Sequence, residues 1–104
     1  MTIAYQTLVA QVRQMVAAEL ATITEMSTTD RVLYLEARIT KIIPIPDRVL
    51  EIAIASPKLG NELRTSKVKM AHFDNVFEFV HQRLIEELTK EAMDEYAYQS
   101  EAAA

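Results

Sequence analysis

Apolar residues recur at helical spacing in two long segments, one near each end of the chain. In residues 2–24 they follow one another at steps of three to five, and the opposite side is rich in glutamine and alanine. Residues 73–98 show the same spacing and contain no glycine or proline. This period is that of an amphipathic α-helix with one buried face. The pattern therefore predicts a first helix over residues 2–24 and a last helix over residues 73–98.

The last predicted helix divides into two halves of different character. Residues 73–84 are apolar on most sides, which predicts a buried helical segment in the core, against which the first helix packs. Residues 85–98 are acidic on the outside and keep a thin apolar seam, which suits contact with another subunit or a basic partner. The seam, and hence the predicted protein interface, consists of Leu88, Ala92, Met93 and Tyr96.

The middle of the chain fits two kinds of secondary structure. Residues 30–43 match a helical stripe and also alternate in the manner of a strand, and residues 47–55 repeat this ambiguity. Turn-forming residues at 25–29 predict Thr29 or Asp30 as a helix N-cap. The segment Pro44-Ile45-Pro46 predicts a stop, and Ser56-Pro57 predicts the start of another helix.

These elements predict a mostly α fold, a small bundle of four to five helices. The alternative is an α+β fold in which a hairpin at about 32–55 packs between the N- and C-terminal helices. A chain of 104 residues is suited to one domain, so we expect a single domain over 1–104 with residues 100–104 as a frayed tail.

The composition excludes several kinds of functional site. The chain has no cysteine and one glycine, which excludes thiolate metal sites, cysteine nucleophiles and glycine-rich phosphate loops. Glu78 and His81 have the spacing of one ligand pair of a di-iron site, which also requires a second such pair. The other histidine, His72, has Lys69 instead of a carboxylate three residues before it, so the second pair is missing. We therefore expect no metal, no cofactor, no catalytic residues and no enzymatic activity.

Charge is distributed unevenly along the chain. Residues 31–72 carry eight basic and four acidic residues, whereas residues 73–104 carry two basic and eight acidic residues. Such a division can steer a charged partner or allow a basic surface of one copy to meet an acidic surface of another. The densest basic group, a candidate contact for anions or nucleic acid, consists of Lys58, Arg64, Lys67 and Lys69.

The absence of catalytic motifs and the two long amphipathic helices favour a small non-enzymatic protein-binding protein. A regulator, inhibitor, adaptor or assembly chaperone has this character, with another protein or a second copy as partner in a homo-oligomer. The alternative function is a nucleic-acid-binding module that uses the basic segment 58–72. The sequence has no apolar run long enough for a membrane span and no basic leader before its first apolar residues, so we expect a cytoplasmic location.

Overall fold

The computed structural model describes residues 5–43, Ser56, Lys58 and residues 73–103, with side chains in the last range from 80 to 102. Four helices account for nearly all of these residues, and no strand occurs among them. They are α1 (Tyr5–Ala18), α2 (Leu20–Thr24), α3 (Thr28–Ile42) and α4 (Phe73–Ala103). The predicted mostly α bundle is confirmed. The hairpin alternative is wrong for its first strand because residues 32–42 are helical, and its second half lies outside the described residues.

The predicted first helix is interrupted at one residue. Glu19 leaves helical geometry with φ −108° and ψ 16°, and α2 begins directly after it. Backbone bonds continue on both sides, because Glu19 N–H donates to Met15 O and Ile23 N–H donates to Glu19 O, each at 3.0 Å. The Glu19 carboxylate accepts a hydrogen bond from Tyr34 Oη at 2.7 Å, which is the main reason that the pKa of Tyr34 is raised. Through this hydrogen bond, Glu19 connects the junction between α1 and α2 to α3.

Helix α3 begins and ends at local signals in the sequence. Its N-cap is Ser27, whose Oγ accepts from Asp30 N–H at 3.2 Å, so the prediction of Thr29 or Asp30 as the cap is wrong. Ser27 has extended backbone angles, whereas Thr28 and Thr29 already belong to the helix. At the other end Ile43 is extended with ψ 126°, as expected for a residue before proline. The predicted stop at Pro44 is confirmed.

Helix α4 is the element on which the other described helices pack. Helices α1, α2 and α3 all contact α4, whereas α1 and α3 contact each other only weakly. The stripe Val80, Leu84, Leu88 and Ala92 is fully buried or nearly so. The core therefore continues for two turns beyond residue 84, along the seam that the sequence assigns to a contact with another subunit. The helix also extends through Ala103, past the predicted start of fraying at Ser100. From the other helices the core receives Leu8, Val12, Val16, Ile23, Leu35 and Ile39.

Arg31 joins three elements at one corner of the bundle. Its Nε donates to Ile23 O and its Nη2 donates to Met26 O, each at 2.8 Å. Ile23 O belongs to the last turn of α2 and also accepts from Met26 N–H at 3.2 Å, whereas Met26 O lies just beyond the helix end, where backbone acceptors lack helical partners. The guanidinium also lies 4.0 Å from the centre of the Tyr96 ring on α4. A single side chain thus caps α2 and holds the α2–α3 turn against α4.

Candidate protein-binding cleft between α1 and α4

Two adjoining cavities of about 340 and 290 Å³ form one cleft along α1 and α4, because both are lined by Arg13, Glu91 and Asp94. The lining residues on each helix recur at steps that place them on one face. We call the end near Ser56 and Lys58 the inner end and the end near Tyr98 the outer end. The remaining lining residues are Tyr5, Gln6, Val9, Glu87, Lys90 and Glu95.

The inner end is closed by buried polar groups. Tyr5 is 4% exposed and Ser56 is 2% exposed. Burial is the largest cause that raises the pKa of Tyr5 to about 12, followed by the charges of Glu91 and Glu87, whereas a hydrogen bond with Ser56 lowers it. The buried carboxylate of Glu87 is compensated by Lys58 Nζ at 3.1 Å and by Arg83 Nη2 at 3.5 Å. These contacts tie Ser56 to α1 and Lys58 to α4, and we interpret this end as structural.

Arg13 crosses the middle of the cleft. Its Nη2 lies 3.4 Å from Glu91 Oε2, and its Nε lies 3.7 Å from Glu95 Oε1. The Arg13 side chain is 55% exposed, so water competes for both ion pairs and each stabilises the fold by no more than about 1 kcal/mol. Contacts this weak can exchange for contacts with a partner. One feature of the sequence indicates that Arg13 belongs to a functional surface: it is the only charged residue on the glutamine-rich side of α1.

The outer end is open and combines negative charge with an aromatic side chain. Tyr98 is 67% exposed and lies beside Asp94 and Glu95 in the cavity lining. Asp94 is exposed and forms no ion pair within the described part of the chain. No pattern in the sequence indicates that Tyr98 is exposed, because the exposure of one aromatic residue on a long helix depends on how far the neighbouring helices extend.

The four residues of the predicted interface occupy different positions in the fold. Leu88 and Ala92 are completely buried in the core, and Met93 and Tyr96 pack against it, with Tyr96 covered by Arg31. In this conformation Leu88 and Ala92 are thus covered by the chain itself and cannot contact a second chain. The accessible aromatic residue at this end of α4 is Tyr98 instead. The predicted interface stays a prediction, and Met93 and Tyr96 are the members that remain partly accessible for it.

The candidate nucleic-acid contact is described at one of its four residues. Lys58 Nζ lies 3.1 Å from Glu87 Oε1, and the Lys58 side chain is 58% exposed. Arg64, Lys67 and Lys69 lie outside the described residues, so their role in binding an anion stays a prediction.

No group of three or more metal-ligating side chains comes together among the described residues. Within the same residues no helix combines the length and the apolar character that crossing a membrane requires. Comparison with protein-family models, with curated proteins and with solved structures finds no match to this chain. Functional inference therefore rests on the geometry of the cleft.

Proposed function

We propose that the chain is a small non-enzymatic protein-binding protein and that it binds through the outer end of the cleft. The observation that carries this proposal is the 67% exposure of Tyr98 beside the carboxylate of Asp94, which forms no ion pair with a described residue. A tyrosine offers a large apolar surface and a polar tip, and tyrosine is enriched in protein interfaces. A regulator, inhibitor, adaptor or assembly chaperone would use such a surface.

The partner that suits this surface is basic. Asp94 and Glu95 attract a cationic side chain, while the Tyr98 ring can pack against the apolar stem of a lysine or the plane of an arginine. A cation of the partner would replace Arg13 at Glu95, and the released guanidinium would remain solvated. The partner is either a different protein or a second copy of the chain.

Two hydroxyl groups support the non-enzymatic part of the proposal. Tyr5 and Ser56 line the inner end of the cleft together with Glu87 and Glu91, and both are almost completely buried. A nucleophile or a proton donor must reach its substrate to within hydrogen-bond distance. Both groups instead interact with each other at the closed inner end.

The proposal is tested by capturing partners on immobilised protein from an extract of the source cells. Three forms are compared: the unchanged chain, Tyr98→Ser and Leu33→Ser. Leu33 is a matched control, since it is also a large exposed hydrophobic residue, 58% exposed, but lies on α3 away from the cleft. Mass spectrometry should identify proteins that bind the unchanged chain and Leu33→Ser but not Tyr98→Ser.

Circular dichroism must first establish that both variants retain the helical content of the unchanged chain. Loss of the partner with Leu33→Ser but not with Tyr98→Ser would place the binding surface on α3. Equal capture by all three forms would refute a role for the outer end.

A further inference from the structure

A second groove lies between α1 and α3, and its described lining includes no residue of α4. Its volume is about 440 Å³, and it is lined by Gln11, Met15, Arg38, Lys41 and Ile42. It exists because α1 and α3 each pack on α4 but only weakly on each other. We call it the basic groove.

The basic groove combines an apolar floor with cations. Met15 and Ile42 are partly buried and pack against the core. Arg38 lies 3.5 Å from Glu19 through its Nε, and Lys41 is exposed without an ion pair among the described residues. Glu19 carries a single negative charge, so it compensates the two cations only in part. The chemistry of the groove therefore fits an acidic segment that carries an apolar or aromatic side chain.

The end of α4 has this composition. Asp94, Tyr98 and Glu101 are four and then three residues apart, which places them on one face of the helix. All three are exposed, and neither acid forms an ion pair with a described residue. This acid–tyrosine–acid face matches the apolar floor and the two cations of the basic groove in both charge and polarity.

The two surfaces of one chain cannot meet. Tyr98 lies beside Arg13 on the α4 side of α1, whereas the groove contains Gln11 and Met15. Residues two positions apart on a helix differ by about 200° in direction, so Arg13 and these two residues lie on opposite sides of α1. Contact between the acidic face and the basic groove therefore requires two copies.

We propose that the basic groove receives the Asp94–Tyr98–Glu101 face of a second copy of this chain. This inference rests on the proposed function and names the partner of the outer end. The two contacting surfaces differ, so the association is heterologous and continues head to tail into a ring or an open chain of copies. Arg38 and Lys41 would pair with the two acids, and the Tyr98 ring would cover Met15 and Ile42.

The test uses two variants, each lacking one of the two surfaces. The groove variant carries Gln11→Glu and Lys41→Glu, and the face variant carries Tyr98→Ser and Glu101→Gln; all four positions are exposed, which limits effects on folding. Sedimentation of the unchanged chain should show a mass that rises with concentration above 11.8 kDa. Each variant alone should associate at least about tenfold more weakly, because like charges meet across the contact in the groove variant, and the face variant lacks the tyrosine ring and one of the two acids.

An equimolar mixture of the two variants gives the decisive result. The groove variant keeps an intact acidic face and the face variant keeps an intact groove, so the mixture should form a 1:1 dimer and nothing larger. A mixture that remains monomeric, or a variant that associates as strongly as the unchanged chain, would overturn the inference. Leu33→Ser should associate normally, and its failure to do so would place the contact elsewhere.

The result separates this inference from the function on which it rests. If the unchanged chain sediments as a monomer at every concentration, a second copy is not the partner. Tyr98-dependent capture of a different protein would then still support the proposed function.

Discussion

Replacing Leu88 with alanine should reduce the free energy of unfolding by about 2–5 kcal/mol. Leu88 is 0% exposed and lies in the buried stripe of α4. The substitution removes three carbons, worth about 2.4 kcal/mol at roughly 0.8 kcal/mol each, and the remaining cavity adds up to a similar amount. Leu33→Ala is the matched control: Leu33 is 58% exposed, so we expect a loss of about 1 kcal/mol or less.

Urea denaturation followed by circular dichroism measures both losses, and it should be carried out at two protein concentrations. A core residue changes stability by the same amount at both concentrations, whereas a residue that contacts a second chain gives a loss that depends on protein concentration. A loss below about 1 kcal/mol, or equal to that of Leu33→Ala, would refute the placement of Leu88 in the core. A loss of stability that depends on protein concentration would instead place Leu88 in a contact with a second chain.

Three further predictions concern the cap, the corner and the closed end of the cleft. Ser27→Ala should lower stability by about 1 kcal/mol in urea denaturation, because Asp30 N–H loses its acceptor, while Ser27→Asp should keep it. Arg31→Lys should cost about 1–3 kcal/mol in thermal unfolding, since an ammonium cannot bond two carbonyls and stack on Tyr96 together, and a neutral outcome would contradict the capping role. The pKa of Tyr5 is raised from 10.0 to about 12, so its contribution to stability is complete below pH 10 and is lost as pH rises to 12. Tyr5→Phe should flatten the fall in stability across that interval, and an unchanged pH profile would contradict the raised pKa.

Helix α3 shows why the sequence predicted the fold class but left the element type open. Strand alternation would place Leu33 on the same face as Leu35 and Ile39, whereas the helix buries Leu35 and Ile39 and leaves Leu33 exposed. The two periods fit the residues almost equally well, so packing against α4 decides between them. The cap could not be located for a similar reason: residues 27–30 all favour caps, and local preference does not choose among them.

The cleft could not be predicted from the sequence, because its contacts join distant parts of the chain. Arg13 and Glu91 are separated by 78 positions, and nothing local to either residue indicates the other. In the sequence, the thin apolar seam of α4 resembles an accessible surface, because nothing within α4 shows that α1 and α3 cover it. Tyr5 lies near Glu87 and Arg13 near Glu95, so α1 runs alongside α4 in the same direction and covers the stretch around Leu88.

The central position of α4 has a consequence for the order of events during translation. Helices α1, α2 and α3 emerge from the ribosome before α4, yet the surface that covers their apolar faces belongs to α4. Until then Leu8, Val12 and Leu35 have no α4 to pack against, and short helices are marginal on their own in water. Nascent chains halted before residue 73 should therefore be degraded rapidly or engage holding chaperones, and protection should begin once the stripe from Val80 to Ala92 has emerged.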